Sequence, residues 1–189
     1  MSFIEALKKY VPYDAKDEEV KRFILDAHEK CGSGIFARDA KVHMCASCWV
    51  VNPLRTKVLM AHHDIYKSFA WMGGHADGCG NLTYVARKEL GEESGIKNFK
   101  MLVPGIFMLF ALPVSAHLRK SVPVKKHSHI GAVYLFEASE DESIRPRKGE
   151  NSRVEWIPLE KIPEVVAQSD AHMLPFYARL NEKVKGLGI

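Results

Sequence analysis

Residues 74–96 read GHADGCGNLTYVARKELGEESGI, a glycine-rich stretch that runs directly into an acidic helical one. Asn81 is a good helix N-cap, and Leu82, Val85, Ala86 and Leu90 recur at helical spacing. Gly95 suits the position just past the helix end. Glu89 and Glu93 are four apart and Glu89 and Glu92 three apart, so the three carboxylates project from the side opposite the apolar face. They repel one another. They also crowd the last turn, where the helix dipole is negative and each acidic group is disfavoured by about 0.3–1 kcal/mol. Lys88 and Arg87 supply part of the balancing charge, and oxygen ligands at this density suit a hard divalent ion such as Mg²⁺, with Mn²⁺ as the alternative. By spacing alone a solvated acidic face fits equally well. The glycines shift the balance: Gly73, Gly74, Gly78 and Gly80 permit tight turns that bring backbone close to a metal or phosphate.

Upstream, residues 2–10 and roughly 17–30 carry helical periodicity, the second through Val20, Phe23, Ile24 and Ala27, with Pro12 between the two segments. Cys31-Gly32-Ser33-Gly34 ends the second helix. From Lys41 the pattern changes to β-branched and aromatic runs, VHMCASCWVV and KVLMAHH, joined by Asn52-Pro53 and a basic turn, which reads as paired strands. Downstream come apolar runs at about 99–112 and 130–138, then VEWIPL at 154–159, and a closing helix from about Asp170 to Lys185. Alternating strands and helices of this kind argue for an α/β chain in layers.

Composition bounds the function. At 189 residues the chain is one domain with room for an extension, and at 47% hydrophobic it can bury a sizeable core. Lys plus Arg exceed Asp plus Glu by 27 − 23 = 4, too mild an excess for wrapping a nucleic acid polymer. No stretch is long and apolar enough to span a membrane, and the opening residues read as amphipathic helix and not as a signal peptide, so the expected location is cytoplasmic. Cys31, Cys45, Cys48 and Cys79 are then free thiols by default. The Cys45-Ala-Ser-Cys48 spacing raises a zinc or redox reading, but a second ligand pair is wanted and residues three apart on a strand face opposite sides. Two ordinary thiols are the expectation.

The stretch from Gly74 to Ile96 resembles the signature of the Nudix hydrolase superfamily, with Gly74, Glu89, Leu90, Glu92, Glu93, Gly95 and Ile96 at the expected places. Gly80 stands where the family has its first glutamate and Lys88 where it has arginine. Lys88 keeps the charge and loses the bidentate fork. The resemblance implies a Nudix-type α/β/α sandwich with a mixed sheet over residues 41–189, preceded by an N-terminal helical extension over residues 1–40. That extension is equally suited to cap the sheet, shape the pocket or form a homodimer contact. The region from Pro113 through His117, His127-Ser128-His129 and Glu150 to Trp156 resembles a group within the superfamily, and it supports the fold more than the substrate.

The implied reaction is divalent-metal-dependent hydrolysis of a nucleoside diphosphate linked to another moiety, ADP-ribose or a related pyrophosphate. Glu89, Glu92 and Glu93 are the expected metal ligands, with the Gly74 carbonyl beside them. Glu89 or Glu150 is the expected base, with Glu155 behind Glu150 and the Glu140-Asp141-Glu142 cluster reading as a solvated turn. His75, Lys88, His127 and His129 are candidate substrate contacts; His127 and His129 are two apart and share a face if they lie on a strand. His62 and His63 alternate and do not act together. Arg119, Lys120, Lys125 and Lys126 form a basic segment that reads as a solvated loop or as a guide for a diphosphate. Trp49 and Trp71 read as core residues. Other readings stay open: a nucleoside triphosphate pyrophosphohydrolase, a non-catalytic nucleotide-binding Nudix domain, and an isopentenyl-diphosphate isomerase, which carries a cysteine where this chain has Gly73.

Overall fold

Capping residues set the first two helices. Ser2 and Glu5 exchange side-chain and backbone hydrogen bonds in a capping box at the start of α1 (Phe3–Lys9), and the Asp14 carboxylate accepts the Asp17 amide at the start of α2 (Ala15–Cys31). Gly32, at φ +55°, ends α2 in a conformation that glycine adopts without a Cβ penalty. The computed structural model describes residues 2–119 and 122–188. After α2 come β1 (Val42–Val51), β2 (Lys57–His63), β3 (Ser68–Ala70), β4 (Met72–His75) and α3 (Leu82–Ser94). Then follow β5 (Lys100–Met101), β6 (Met108–Val114), β7 (His117–Arg119), β8 (Val122–Val124), β9 (His127–Glu137), β10 (Asn151–Pro158), α4 (Ile162–Val165) and α5 (Leu174–Lys185). The chain is mixed α/β, and two of its expected strands, VHMCASCWVV and KVLMAHH, form as read.

Contacts group the chain into two compact units. Unit 1 holds the residues up to Ser47 with Gly74–Ala86 and Gly105–Tyr134. In it β6 pairs antiparallel with β9, from Met108 opposite Val133 to Val114 opposite His127. The Ser128 amide donates to the Lys41 carbonyl, and further along both strands Gly131 lies on the Cys45 carbonyl, so β1 runs parallel to β9 there. A Cβ at position 131 would overlap that carbonyl oxygen, which is why this strand carries glycine at its closest approach. A fully buried carboxylate ties the amino-terminal helices to the sheet: Asp17 accepts from the Tyr10 hydroxyl, the Tyr13 amide at 2.9 Å and the Leu109 amide at 2.9 Å. Phe3, Leu7, Ile24 and Ile35 are buried in the same unit.

Unit 2 holds Cys48–Gly73, Arg87–Pro104 and the residues from Leu135 onwards. Here β10 pairs antiparallel with β2, with an irregularity between Asn151 and Arg153, and β3 pairs with the far end of β2. Asn52 builds the turn between β1 and β2: its side-chain oxygen accepts the Thr56 and Lys57 amides at 2.8 and 2.9 Å, and its amide donates to Glu140. Trp49 is fully buried, stacked on Tyr177 with centroids 5.3 Å apart, and donates its indole N–H to Asn181. Trp71 packs edge-on against Phe176 and Tyr177.

Four details differ from the reading of the sequence. The apolar run at 99–112 is two strands, β5 and β6, because the segment between them turns through Pro104 and Gly105, the latter at φ +86°. The closing helix begins as a tighter turn over Gln168–Met173, and the α-helical part starts at Leu174. Phe23, on the expected apolar face of α2, is 42% exposed, and Ile24 is fully buried instead. Glu140 and Glu142 are tethers, not a free turn: Glu140 pairs with Lys57 and Asn52, Glu142 with Asn98. No helix among the described residues is long and apolar enough to cross a membrane.

The Asp17 arrangement yields a stability prediction. Asp17→Ala leaves two backbone amides and a tyrosine hydroxyl without their acceptor, and it should lower unfolding stability in urea by about 2–5 kcal/mol. A loss under about 0.5 kcal/mol would show that α2 is not anchored through this carboxylate.

Candidate functional site

The site grows from the end of α3. The Asn81 side chain accepts the Tyr84 amide and starts the helix; Leu82, Val85, Ala86 and Leu90 bury one face of it. At the other end the Ser94 hydroxyl donates to the Leu90 carbonyl at 2.6 Å, and Gly95 turns the chain at φ +73°. Glu89, Glu92 and Glu93 lie on the unit 2 portion of this helix. Glu89 is 9% exposed, Glu93 half-buried and Glu92 exposed.

A fourth carboxylate comes from the segment before β10. Arg147 Nη1 stands 3.5 Å from Glu89 Oε2, 3.0 Å from Glu92 Oε2 and 3.3 Å from Glu150 Oε2. One guanidinium nitrogen thus serves three carboxylates at once. Lys88 Nζ adds contacts of 3.1 Å to Glu89 and 3.4 Å to Glu92, and the Glu89 hydrogen bond is the main reason its ammonium pKa is raised. Against these two cations stand Glu89, Glu92, Glu93 and Glu150. The excess negative charge shows at Glu93, whose pKa is pushed from its ordinary 4.5 to about 8, first by burial and then by the Glu89 charge, with Glu150 adding to it. The Gly73 amide and Asn151 pull the other way without outweighing burial. Cys48 lies in the field of the same acids, and burial first, then Glu93 and Glu89, raise its thiol pKa well above the ordinary range.

The structure brings together Glu89, Glu92, Glu150 and Lys88 through these contacts, with Glu93 coupled to them electrostatically. Glu155 pairs instead with Arg153 on β10. Gly74 is on β4 in unit 1. His75, His127 and His129 gather in unit 1 with His43, their ring centroids about 5 Å apart. His62 bonds Ser152 and His63 packs on Tyr66. Lys125 and Lys126 are exposed, and Lys120 lies outside the described residues. At Gly80 a Cβ would meet nothing within 4 Å, so space does not account for the missing glutamate. Reading the sequence missed Arg147, three residues before Glu150; its signal was a basic residue one loop-turn from the chosen acid.

A family model described as NUDIX domain matches residues 41–180. Among solved structures, a NUDIX-family hydrolase from Clostridium perfringens is 22% identical at a TM-score of 0.52, covering 77% of this chain and 97% of that one. An Ap4A hydrolase from C. elegans is 14% identical at a TM-score of 0.51, covering 76% and 96%. The E. coli dihydroneopterin triphosphate pyrophosphohydrolase is 12% identical at a TM-score of 0.53, covering 73% and 93%. Likeness at these identities speaks to fold alone. No curated protein sequence matches.

The raised Glu93 pKa fixes a pH dependence for chelator-treated protein. Because the folded value, about 8, lies above the ordinary 4.5, the contribution of this group to stability is complete below pH 4.5 and is lost as the pH rises to about 8. Urea titrations at pH 6 and pH 9 should show lower stability at the higher pH, and Glu93→Gln should flatten that part of the profile. An unchanged slope in the variant would place the charge stress elsewhere.

Proposed function

Because the chain belongs to the NUDIX domain family, the Nudix hydrolases, we propose that its acidic centre hydrolyses the pyrophosphate of a nucleoside diphosphate linked to another moiety, an ADP-ribose-like compound. The observation that carries this reading is the convergence of Glu89, Glu92 and Glu150 on one guanidinium nitrogen, with burial and the neighbouring acids raising the Glu93 pKa beside them. Such a set is built for more positive charge than Arg147 and Lys88 provide. Its donors are all hard carboxylate oxygens, the chemistry that Mg²⁺ or Mn²⁺ selects. Nudix hydrolases use divalent metals, and here Glu89, Glu92 and Glu93 are the proposed ligands. Bound there, the ion offsets charge on the pyrophosphate and makes a water more acidic.

The residues of the chain do the rest. Water adds its oxygen to one phosphorus, the bond from that phosphorus to the bridging oxygen breaks, and the bridging oxygen leaves on the other phosphate with the electron pair. A carboxylate takes the proton from the water. Glu150 is the better placed for this, since its side chain is 49% exposed and among the described residues pairs with Arg147, whereas Glu89 is almost buried and held by both Lys88 and Arg147. Glu89 is the alternative base. With a divalent ion held by the carboxylates, the Arg147 guanidinium would be available to pair with a substrate phosphate.

The two named neighbours, an Ap4A hydrolase and a dihydroneopterin triphosphate pyrophosphohydrolase, set the breadth of the test. Product release should be measured with ADP-ribose, Ap4A, dihydroneopterin triphosphate and nucleoside triphosphates, with Mg²⁺ or Mn²⁺. The expected result is metal-dependent turnover of a diphosphate-linked nucleoside. Glu93→Gln should cut kcat at least about a hundredfold, and Glu150→Gln should lower kcat more than it changes KM. Turnover of triphosphates alone would move the reading to a triphosphate pyrophosphohydrolase. Saturable nucleotide binding without turnover would replace it by a binding domain and implicate Gly80 and Lys88.

A further inference from the structure

The imidazoles of unit 1 form a second constellation, of different chemistry. His43 and Cys45 are two apart on β1 and so share a face; β4 contributes His75 and β9 contributes His129. One ligand atom from each of these four side chains lies within 4.8 Å of all the others. His75 Nε2 and His129 Nε2 are 3.2 Å apart. For comparison, ligand atoms on a four-coordinate zinc ion stand about 3.3–3.6 Å apart, as bond lengths of about 2.0–2.3 Å require.

The hydrogen-bonding pattern singles out a cation. His43 Nδ1 lies 2.8 Å from the Ala40 carbonyl and donates to it, which leaves Nε2 as a bare lone pair. That Nε2 is buried and finds no hydrogen-bond partner among the described residues. A backbone carbonyl on one ring nitrogen is also how a metal-bound histidine is oriented, with the other nitrogen presented to the ion. His127 Nδ1 in the same way donates to the Lys125 carbonyl at 2.8 Å, so its Nε2 is also a lone pair, 3.0 Å from His129 Nε2. His129 Nε2 therefore faces two imidazole nitrogens, and a single in-plane proton aligns with one of them, not both. A hydrogen-bonded chain leaves this set strained, whereas an ion accepts several lone pairs at one point.

We propose that His43, Cys45, His75 and His129 bind one borderline-soft transition-metal ion of the zinc class in a closed, structural site that pins β1, β4 and β9 together. Three imidazoles and one thiolate are ligands zinc takes and Mg²⁺ does not, so this site and the carboxylate centre select different ions. With four protein ligands no position is left open for a substrate, and His75 and His129 act as ligands in place of the substrate contacts read from the sequence. His127, stacked on His43 at 5.0 Å, packs against the set. Arg38 and Asp77, whose charges act on His43 and Cys45, are paired to each other in a bidentate contact at 2.7 Å. Burial lowers the His43 pKa and pushes the Cys45 thiol up to about 12, so uptake of the ion would release the thiol proton.

The test is cobalt substitution in the full chain after removal of metals with a chelator. One equivalent of Co²⁺ should give the intense visible bands of four-coordinate cobalt and a near-ultraviolet thiolate-to-cobalt band, and Zn²⁺ should displace it. Cys45→Ser should lose the near-ultraviolet band, and His43→Gln should weaken binding at least about tenfold. Glu93→Gln should leave the spectrum intact. Absence of the spectrum in the wild-type chain, which needs no variant to fold, overturns the proposal. So does a spectrum unchanged in Cys45→Ser or abolished by Glu93→Gln.

Discussion

Mutual repulsion among four carboxylates is the constraint on which the functional end of this protein depends. Glu89, Glu92 and Glu93 sit on one turn of one helix, at the end where the helix dipole is already negative, and Glu150 is brought to the same place. Left alone, such a group would open the helix end or take up protons. The fold relieves the repulsion differently: Arg147 and Lys88 bridge the carboxylates, and the Glu93 pKa is raised to about 8. Both are partial. The arrangement is therefore under an electrostatic load, one that a divalent ion held there as proposed would relieve.

The surroundings explain why the load is tolerated. The apolar face of α3 is buried through Leu82, Val85, Ala86 and Leu90, and Ser94 and Gly95 close the helix at its acidic end. Burying such side chains is worth about 1.5–3 kcal/mol each, well above the few tenths to about 1 kcal/mol that an unfavourable dipole contact costs. Position decides which acid bears the strain. Glu92 and Glu150 keep their solvent, whereas Glu93 is half-buried and has its pKa raised. The same logic applies with opposite chemistry in unit 1, where Asp17 is buried yet fully supplied with donors, and His43 is buried with a lone pair unmatched.

Much of this was legible in the residues. The N-cap at Asn81, the apolar stripe and Gly95 delimit α3, and the alternation of VHMCASCWVV and KVLMAHH delimits two strands, because these signals are local. The run at 99–112 was misread since hydrophobicity alone does not show where Gly105 turns the chain. Arg147 lay in a segment without periodicity, and its role depends on a tertiary contact between that segment and α3. The Cys45-Ala-Ser-Cys48 spacing invites reading the two cysteines as one pair because they are near in sequence. The strand turns them to different neighbours, and the residues that meet Cys45 are histidines from β1, β4 and β9, each far from the others in the chain or hidden by alternation.

On the proposed reading, Arg147 stands among the carboxylates where a divalent cation would bind. The most direct measurement is a Mn²⁺ titration followed by electron paramagnetic resonance, comparing wild type with Arg147→Met at pH 8 and without substrate. Removing the guanidinium takes one positive charge from among the carboxylates, so the account predicts saturable Mn²⁺ binding in both proteins and at least about tenfold tighter binding in the variant, equivalent to about 1.4 kcal/mol. Binding that is unchanged or weaker in Arg147→Met, or absent from the wild type, would contradict it.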